Sequence, residues 1–448
     1  MNIMDEEQLD LYSEHLDLLA RRWEAALTFA GFDAAIVVAG QPAEYFLDDQ
    51  ATPFRPNPHF AQWFPGDDAA GSALLIRPGE RPRLYFYQPA DYWHQPPQQP
   101  DWADGILDLK VFDDPARLQE ALASAAAGQN RTAFVGEQQP GNLSVASVNP
   151  ALLLNHLHFH RAYKSEFEVH CMKAATELAV TGHRAARDAF RTGGSEFEIH
   201  MAYLAASRQT SDALPYGNIV ALNEHGAVLH YQHYDREPPH QSRSFLIDAG
   251  GRYLGYAADV TRSYAAEGPE HERFAALVAA MDQAQQSMIR EIRPGMDYLA
   301  LHENAHRRIA EILSDQGLVH CPAETAFDTG ITRTFLPHGL GHLIGLQTHD
   351  VGGLQTSPEG GHRPPPDDYP ALRLTRTVEK GQVFTIEPGL YFIPQLLDEL
   401  KASDRSQLID WKSVDTLRGY GGIRIEDNVL VTDEGTENLT REAFASHE

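Results

Sequence analysis

Residues 244–264 read SFLIDAGGRYLGYAADVTRSY, two apolar runs separated by a glycine-rich turn. Runs rich in β-branched and aromatic residues, broken by Gly250, Gly251 and Gly255, predict strands that fold back on each other. Such a hairpin brings Asp248, on one run, and Asp259, on the other, to one point on a sheet face. Two aspartates at this separation can also be ordinary turn or edge residues. An aspartate inside an apolar strand is less ordinary, because a buried carboxylate needs a partner.

Three further stretches supply candidate partners. FLPHGLGHLIGLQTHDVGG, residues 335–353, carries His338, His342 and His349. The spacing of the first two is that of a helical zinc pair, but Gly339 and Gly341 disfavour a helix and the glutamate of an HExxH motif is missing. VFTIEPGLYF (383–392) and GGIRIEDNVLV (421–431) place Glu387 and Glu426 within apolar strand-like runs. A structural ion pair is the plain alternative there, and Arg424 is placed to make one with Glu426. Together the four stretches offer four carboxylates and an imidazole, and two divalent cations balance those four charges. Hard oxygen ligands with one imidazole suit manganese, with cobalt or zinc as substitutes in vitro. Because carboxylates bridge two ions readily, the set reads as a two-metal hydrolase. Composition does not choose between His338 and His342 as the ligand.

Working outward, Leu9, Tyr12, Leu16, Leu19, Trp23 and Ala26 recur at helical spacing, and Gly31 is placed to end that helix. DAAIVVAG, SALLIRPG, PRLYFYQP and TAFVGE then read as strands, with an alanine-rich helix near 115–127. This alternation predicts an α/β domain over residues 1–160 and a catalytic domain over 161–448. A long helix begins near residue 162, where Ser165 and Glu168 form a capping-box pattern that recurs at Ser195 and Glu198. From residue 215 onward strands are expected to dominate. Residues 93–102 and 352–370 read as proline-rich loops, and long loops like the second often border active sites.

Composition narrows the partners. A formal charge of −27 argues against nucleic acid or an anionic membrane as a target. The two cysteines, Cys171 and Cys321, give no disulfide framework, and the acidic N-terminus lacks the layout of a signal peptide. No apolar run reaches membrane-spanning length. The expectation is a protein of the reducing cytoplasm.

In this order, LIDAG, AADVTRSY, PHGLGHLIGLQTHDVGG, FTIEPGLYF and GGIRIEDN resemble the creatinase/aminopeptidase, or pita-bread, metallopeptidases. The likeness is strongest to bacterial prolidases and organophosphorus acid anhydrolases, and it extends to EYFLDDQATPFRPNPHFAQWFP near the N-terminus. The resemblance implies an α/β N-terminal domain, for dimerisation and pocket closure, followed by an α+β pita-bread domain. It implies metal ligands at Asp248, Asp259, His342, Glu387 and Glu426, with Asp259 and Glu426 bridging two ions and a hydroxide between them. It further implies Glu387 as proton shuttle, His349 at the scissile group, and His338 and His230 lining the pocket. Arg373 would receive the substrate's terminal carboxylate, and Arg424 would orient a bridging carboxylate. Tyr216, Tyr298 and Asp49 match positions that line the site in relatives, Asp49 from a neighbouring subunit. The implied activity is hydrolysis of Xaa-Pro dipeptides by a homodimer, with organophosphate triesters as a side substrate. A primary organophosphorus acid anhydrolase and a noncatalytic binding scaffold are the alternatives.

Overall fold

The computed structural model describes residues 4–103, 105–128 and 131–446. The chain divides into two compact units, residues 1–171 with 356–361, and residues 172–355 with 362–448.

In the first unit the helix Glu6–Ala30 is capped by Asp5 and ends at Gly31, whose φ of 73° is the left-handed conformation glycine adopts without strain. Its buried face holds Tyr12, Leu16, Leu19, Trp23 and Ala26, as the spacing predicts. Six strands follow: β1 (Ala34–Val38), β2 (Ala73–Ile76), β3 (Arg83–Tyr87), β4 (Asp108–Phe112), β5 (Thr132–Val135) and β6 (Ser147–Val148). They lie in the order β4-β3-β2-β1-β5-β6. The helix Pro115–Ala127 packs Leu118, Leu122 and Ala126 against Ile36, Leu75 and Phe134 of this sheet. Strand β4 gave little sequence signal because it is an edge strand: Asp108 and Lys110 alternate with apolar residues and none of its five residues is buried.

The helix Glu166–Arg191 starts at the expected capping box: the Ser165 hydroxyl accepts from Glu168 N, and the Glu168 carboxylate from Ser165 N. The helix Glu196–Ser207 repeats the device with Ser195 and Glu198. In the second unit β7 (Ile219–Leu222), β8 (Ser244–Asp248) and β11 (Thr261–Ala265) form an antiparallel sheet in the order β11-β8-β7. A small hairpin of β9 (Arg252–Tyr253) and β10 (Tyr256–Ala257) fills the turn between β8 and β11. A second sheet orders β12 (Val383–Ile386), β15 (Asp427–Val431) and β16 (Thr436–Asn438), while β13 (Gly389–Tyr391) pairs with β14 (Gly422–Arg424).

Strands do not dominate after residue 215. Two long helices, Glu272–Glu291 and Tyr298–Asp315, bury Phe274, Leu277, Met281 and Met288, and Leu301, Ala305, Ile309 and Leu313. These positions recur at three, four or seven residues, a helical signal overshadowed by the glycine-broken runs around them. The strand-interior placement of the acidic residues also needs correction. Asp248 ends β8, Asp259 lies two residues before β11, Glu387 separates β12 from β13, and Glu426 separates β14 from β15. Each carboxylate thus leaves a strand end, where side chains can converge.

Candidate metal centre

The hairpin register sets the first half of the site. Thr261 pairs with Asp248, which returns Asp259 to the end of β8. The Tyr216 hydroxyl lies 2.7 Å from Asp248 Oδ1 and 2.5 Å from Asp259 Oδ1, tying the two carboxylates together. An isolated bridge between Thr261 and Glu426 joins the second half, and Thr261 Oγ1 donates to Glu426 Oε2 at 2.6 Å.

His342 enters from a non-helical segment bridged to β12 through Leu343 and Phe384. Its backbone N–H donates to Thr385 Oγ1 at 3.1 Å, and a Cβ on neighbouring Gly341 would lie 2.0 Å from the Thr385 carbonyl oxygen. Only glycine permits that approach. His342 Nδ1 is 3.0 Å from the Leu343 carbonyl, so this nitrogen carries the proton and Nε2 keeps its lone pair. Nε2 faces Asp259 Oδ2 at 3.4 Å and Glu387 Oε1 at 3.8 Å. A histidine held through Nδ1, with Nε2 turned toward carboxylates, has the arrangement of a metal ligand. Asp259, His342 and Glu426, all buried, offer ligand atoms within 4.8 Å of one another.

Arg424 does not make its ion pair with Glu426. Strand β14 runs beside β11, where Ser263 Oγ bridges the Arg424 backbone, and the guanidinium reaches the end of β8. Arg424 Nη2 donates to Asp248 Oδ2 at 2.7 Å, and Nε donates to Thr261 Oγ1 at 3.3 Å, touching Glu426 only through that hydroxyl. Nη1 donates to the Tyr391 hydroxyl at 2.8 Å, which frees the tyrosine proton for His338 Nε2, also at 2.8 Å. His338 Nδ1 then donates to the Gly339 carbonyl. Burial, and next Arg424, lowers the His338 pKa to about 3, so this ring is neutral.

A cavity of about 280 Å³ opens onto the cluster. It is lined by Asp248, Asp259, His338, His342, His349, Glu387, Arg424 and Glu426, with Leu229, His230, Pro337, Ala371 and Arg373 among the other walls. The His349 ring stands edge-on to that of His342, their centroids 4.4 Å apart. Arg373 follows directly on the 352–370 loop. All ten residues proposed for metal or substrate from the sequence, apart from the flanking Tyr216, Tyr298 and Asp49, line this one cavity. Tyr298 is buried behind it, its hydroxyl donating to the Thr385 carbonyl, and Asp49 lies in an exposed turn of the first unit. Sequence reasoning missed Tyr391, Thr261 and Thr385, whose hydroxyls fix Arg424, Glu426 and His342. A tyrosine in the apolar run GLYF was the available hint.

The carboxylates repel one another where water cannot screen them. Burial, reinforced by neighbouring carboxylates, raises Asp248 and Glu426 and brings Glu387 to about 7, whereas at Asp259 burial is outweighed by the neighbouring His342 and the Tyr216 hydroxyl, which hold it below its ordinary value. Arg424 alone does not compensate four such groups. Divalent cations would, and the donor set, hard oxygens plus one free imidazole lone pair, fits them. Cation binding requires these groups deprotonated, so affinity is expected to fall as pH drops below 7, by about tenfold per pH unit for each proton displaced. Calorimetric titration of manganese at pH 8, 7 and 6 checks this; a pH-independent affinity would contradict the raised Glu387.

Comparison with known proteins agrees with this geometry. Residues 170–433 match the model of metallopeptidase family M24, and residues 10–159 that of the Xaa-Pro dipeptidase N-terminal domain. The Xaa-Pro dipeptidase of Stenotrophomonas maltophilia (strain K279a) is 48% identical over 437 residues, covering 97% of this chain and 98% of that protein. The Xaa-Pro dipeptidase of Pseudoalteromonas translucida (strain TAC 125) is 45% identical over 435 residues, 96% of this chain and 98% of its own. Among solved structures, aminopeptidase PepP of Pseudomonas aeruginosa superposes with a TM-score of 0.72 at 23% identity, over 97% of this chain and 98% of that one. Aminopeptidase P of Escherichia coli with the inhibitor Pro-Leu gives 0.73 at 22% identity, over 95% and 97%. The chain belongs to metallopeptidase family M24, in the branch that carries the Xaa-Pro dipeptidase N-terminal domain. It is a hydrolase with the pita-bread fold. Among the described residues no helix is long and apolar enough to cross a membrane.

Proposed function

We propose that this enzyme cleaves Xaa-Pro dipeptides, using two manganese ions held by Asp248, Asp259, His342, Glu387 and Glu426, with Asp259 and Glu426 shared between them. The observation that carries the reading is the pairing, in one small cavity, of this cluster with Arg373, which makes no ion pair with a carboxylate among the described residues. An uncommitted guanidinium suits the free carboxylate of a dipeptide. When bound, the ions would supply an acidified water and a Lewis acid for the scissile carbonyl.

The protein's own groups do the rest. Glu387, whose proton affinity sits near neutrality, takes the proton of the attacking water and returns it to the proline nitrogen. Desolvation of its ring, with His342 and Arg373 nearby, lowers His349 to about 4, so it is a neutral N–H donor for the developing oxyanion. His338, neutral and with both ring nitrogens engaged, shapes the wall beside His230 and moves no proton in the reaction. Arg424 fixes Asp248, and Tyr216 fixes Asp248 against Asp259. Proline's own nitrogen, the leaving atom, carries no hydrogen in the scissile bond, so a site that never reads an amide N–H suits it.

Residues 1–160 would serve dimerisation and pocket closure, and residues 161–448 the chemistry. The turn at 45–49 exposes Tyr45, Phe46 and Leu47, the last two more than nine-tenths accessible. Such a tip suits burial against a second copy, with Asp49 reaching that copy's pocket. The two cysteines are free and buried, which suits the cytoplasm.

The test is manganese-dependent proline release from Leu-Pro, run beside Leu-Pro-Gly and a fluorophosphonate. Cleavage of the dipeptide above both others is the expected result. Faster turnover of the fluorophosphonate would make organophosphate hydrolysis the primary activity, and metal-loaded protein inert to all three would mark a binding scaffold.

A further inference from the structure

Glu196, which the catalytic cluster does not use, is hydrogen-bonded to the loop that carries the pocket's His230. Glu196 is 1% exposed and follows the cap Ser195 as the first residue of the helix Glu196–Ser207, where a helix N-terminus favours negative charge. Its Oε1 accepts from Leu222 N at 2.9 Å and faces His225 Nδ1 at 2.8 Å. Its Oε2 accepts from the Tyr231 hydroxyl at 2.7 Å and from Asp235 N at 2.9 Å.

These four donors come from the segment that leaves β7 at Leu222 and returns at Asp235. The segment has little regular structure of its own, only a short turn at Asn223–Ala227. Leu229 and His230, which line the substrate cavity, lie between His225 and Tyr231. Phe197 N also donates to the Asp235 carbonyl, and the His225 and Tyr231 rings stack with centroids 4.4 Å apart. One buried carboxylate therefore gathers both ends of the loop and the residue adjoining His230.

Glu196, His225 and Asp235 also present ligand atoms within 4.8 Å of one another, the spacing of a metal site. Each Glu196 oxygen, however, already serves two donors, which fills the acceptor capacity of the carboxylate. A cation there would have to displace them, so the arrangement is that of a fastener.

We propose that Glu196 is a positioning residue for dipeptide hydrolysis, holding the 223–235 loop so that Leu229 and His230 face the substrate. The inference rests on the dipeptidase reading and on His230 as a substrate contact. Glu196→Gln exchanges acceptors for an amide N–H2 and leaves two of the four donors unmatched.

The experiment is a double-mutant cycle of Glu196→Gln with His230→Ala, measured with Leu-Pro on manganese-loaded protein. Glu196→Gln is expected to raise KM about tenfold with kcat changed less than about twofold. In the His230→Ala background the same change should raise KM by less than about twofold, because the contact it positions is gone. Equal effects in both backgrounds would overturn the proposal, leaving Glu196 a general support of the fold. An unaltered KM in His230→Ala alone would also overturn it, while wild-type turnover of Leu-Pro would still uphold the dipeptidase reading. Hydrogen exchange gives a readout independent of activity: Glu196→Gln should speed exchange at 223–235 and leave 244–265 protected. Unchanged exchange in the loop sinks the idea whatever the substrate. Should Glu196→Gln fail to fold, Tyr231→Phe removes one of the four bonds and should show the same coupling to His230 on a smaller scale.

Discussion

Asp259→Asn is expected to lower kcat/KM for Leu-Pro by about 10³-fold or more, since the reaction then loses the strongly acidified water that bound metal supplies. Asp259 is 5% exposed and stands where the other ligands meet, 3.4 Å from His342 Nε2 and joined to Asp248 through the Tyr216 hydroxyl. Asparagine keeps the shape and one acceptor oxygen but removes the charge and the second oxygen, so it cannot bridge two cations. Bound manganese should fall from two ions per chain to one or fewer. The metal-free variant should melt somewhat below metal-free wild type, because the site favours ionised Asp259, whose pKa is held down, and the amide gives up that attraction to His342. Metal analysis, thermal denaturation and kinetics on the same preparation separate the possibilities. A variant that retains two ions and activity within tenfold of wild type would show that Asp259 is not shared between them.

How much of this was legible beforehand depends on the range of the interaction. Asp248 and Asp259 were readable because the hairpin that unites them is local, with Gly250, Gly251 and Gly255 marking the turn. His342 was readable only through the resemblance; what distinguishes it from His338 is tertiary. His342 Nε2 is left free toward Asp259, whereas His338 Nε2 is engaged by Tyr391. Tyr391 itself escaped notice because its role depends on β13 pairing with β14, which sets Gly389 opposite Arg424 and Tyr391 opposite Gly422. Nothing within GLYF indicates that partner. The plain alternative of an Arg424–Glu426 ion pair is set aside for the same reason: same-face spacing along one strand is outweighed by the neighbouring end of β8. Glu196 illustrates the limit most directly. The capping box at Ser195 and Glu198 is a local pattern, while Glu196 between them works across a loop of thirteen residues, 223–235. The helices at 272–291 and 298–315, by contrast, carried a local apolar periodicity that was present and overlooked.

Arg373→Met should raise KM for Leu-Pro by about 100-fold, the scale of losing a partly desolvated charge pair, while kcat falls much less. Methionine preserves the reach and apolar stem of the side chain and removes only the guanidinium. The contact it makes with substrate is distant from the bond that breaks, so its loss weakens ground and transition states alike. The more telling measurement compares Leu-Pro with its C-terminal amide. Wild type should prefer the free acid strongly, because the amide leaves Arg373 facing a neutral group; in Arg373→Met the two should be cleaved with similar kcat/KM. A weak acid preference in wild type would mean that the pocket is closed by shape, through Leu229, Pro337 and Ala371, with no carboxylate clamp. A variant that still prefers the acid would place the clamp on another cation. Leu-Pro-Gly distinguishes charge from length: its carboxylate lies one residue further on, so wild type should reject it, and losing the charge at Arg373 should narrow that rejection without making the tripeptide a good substrate.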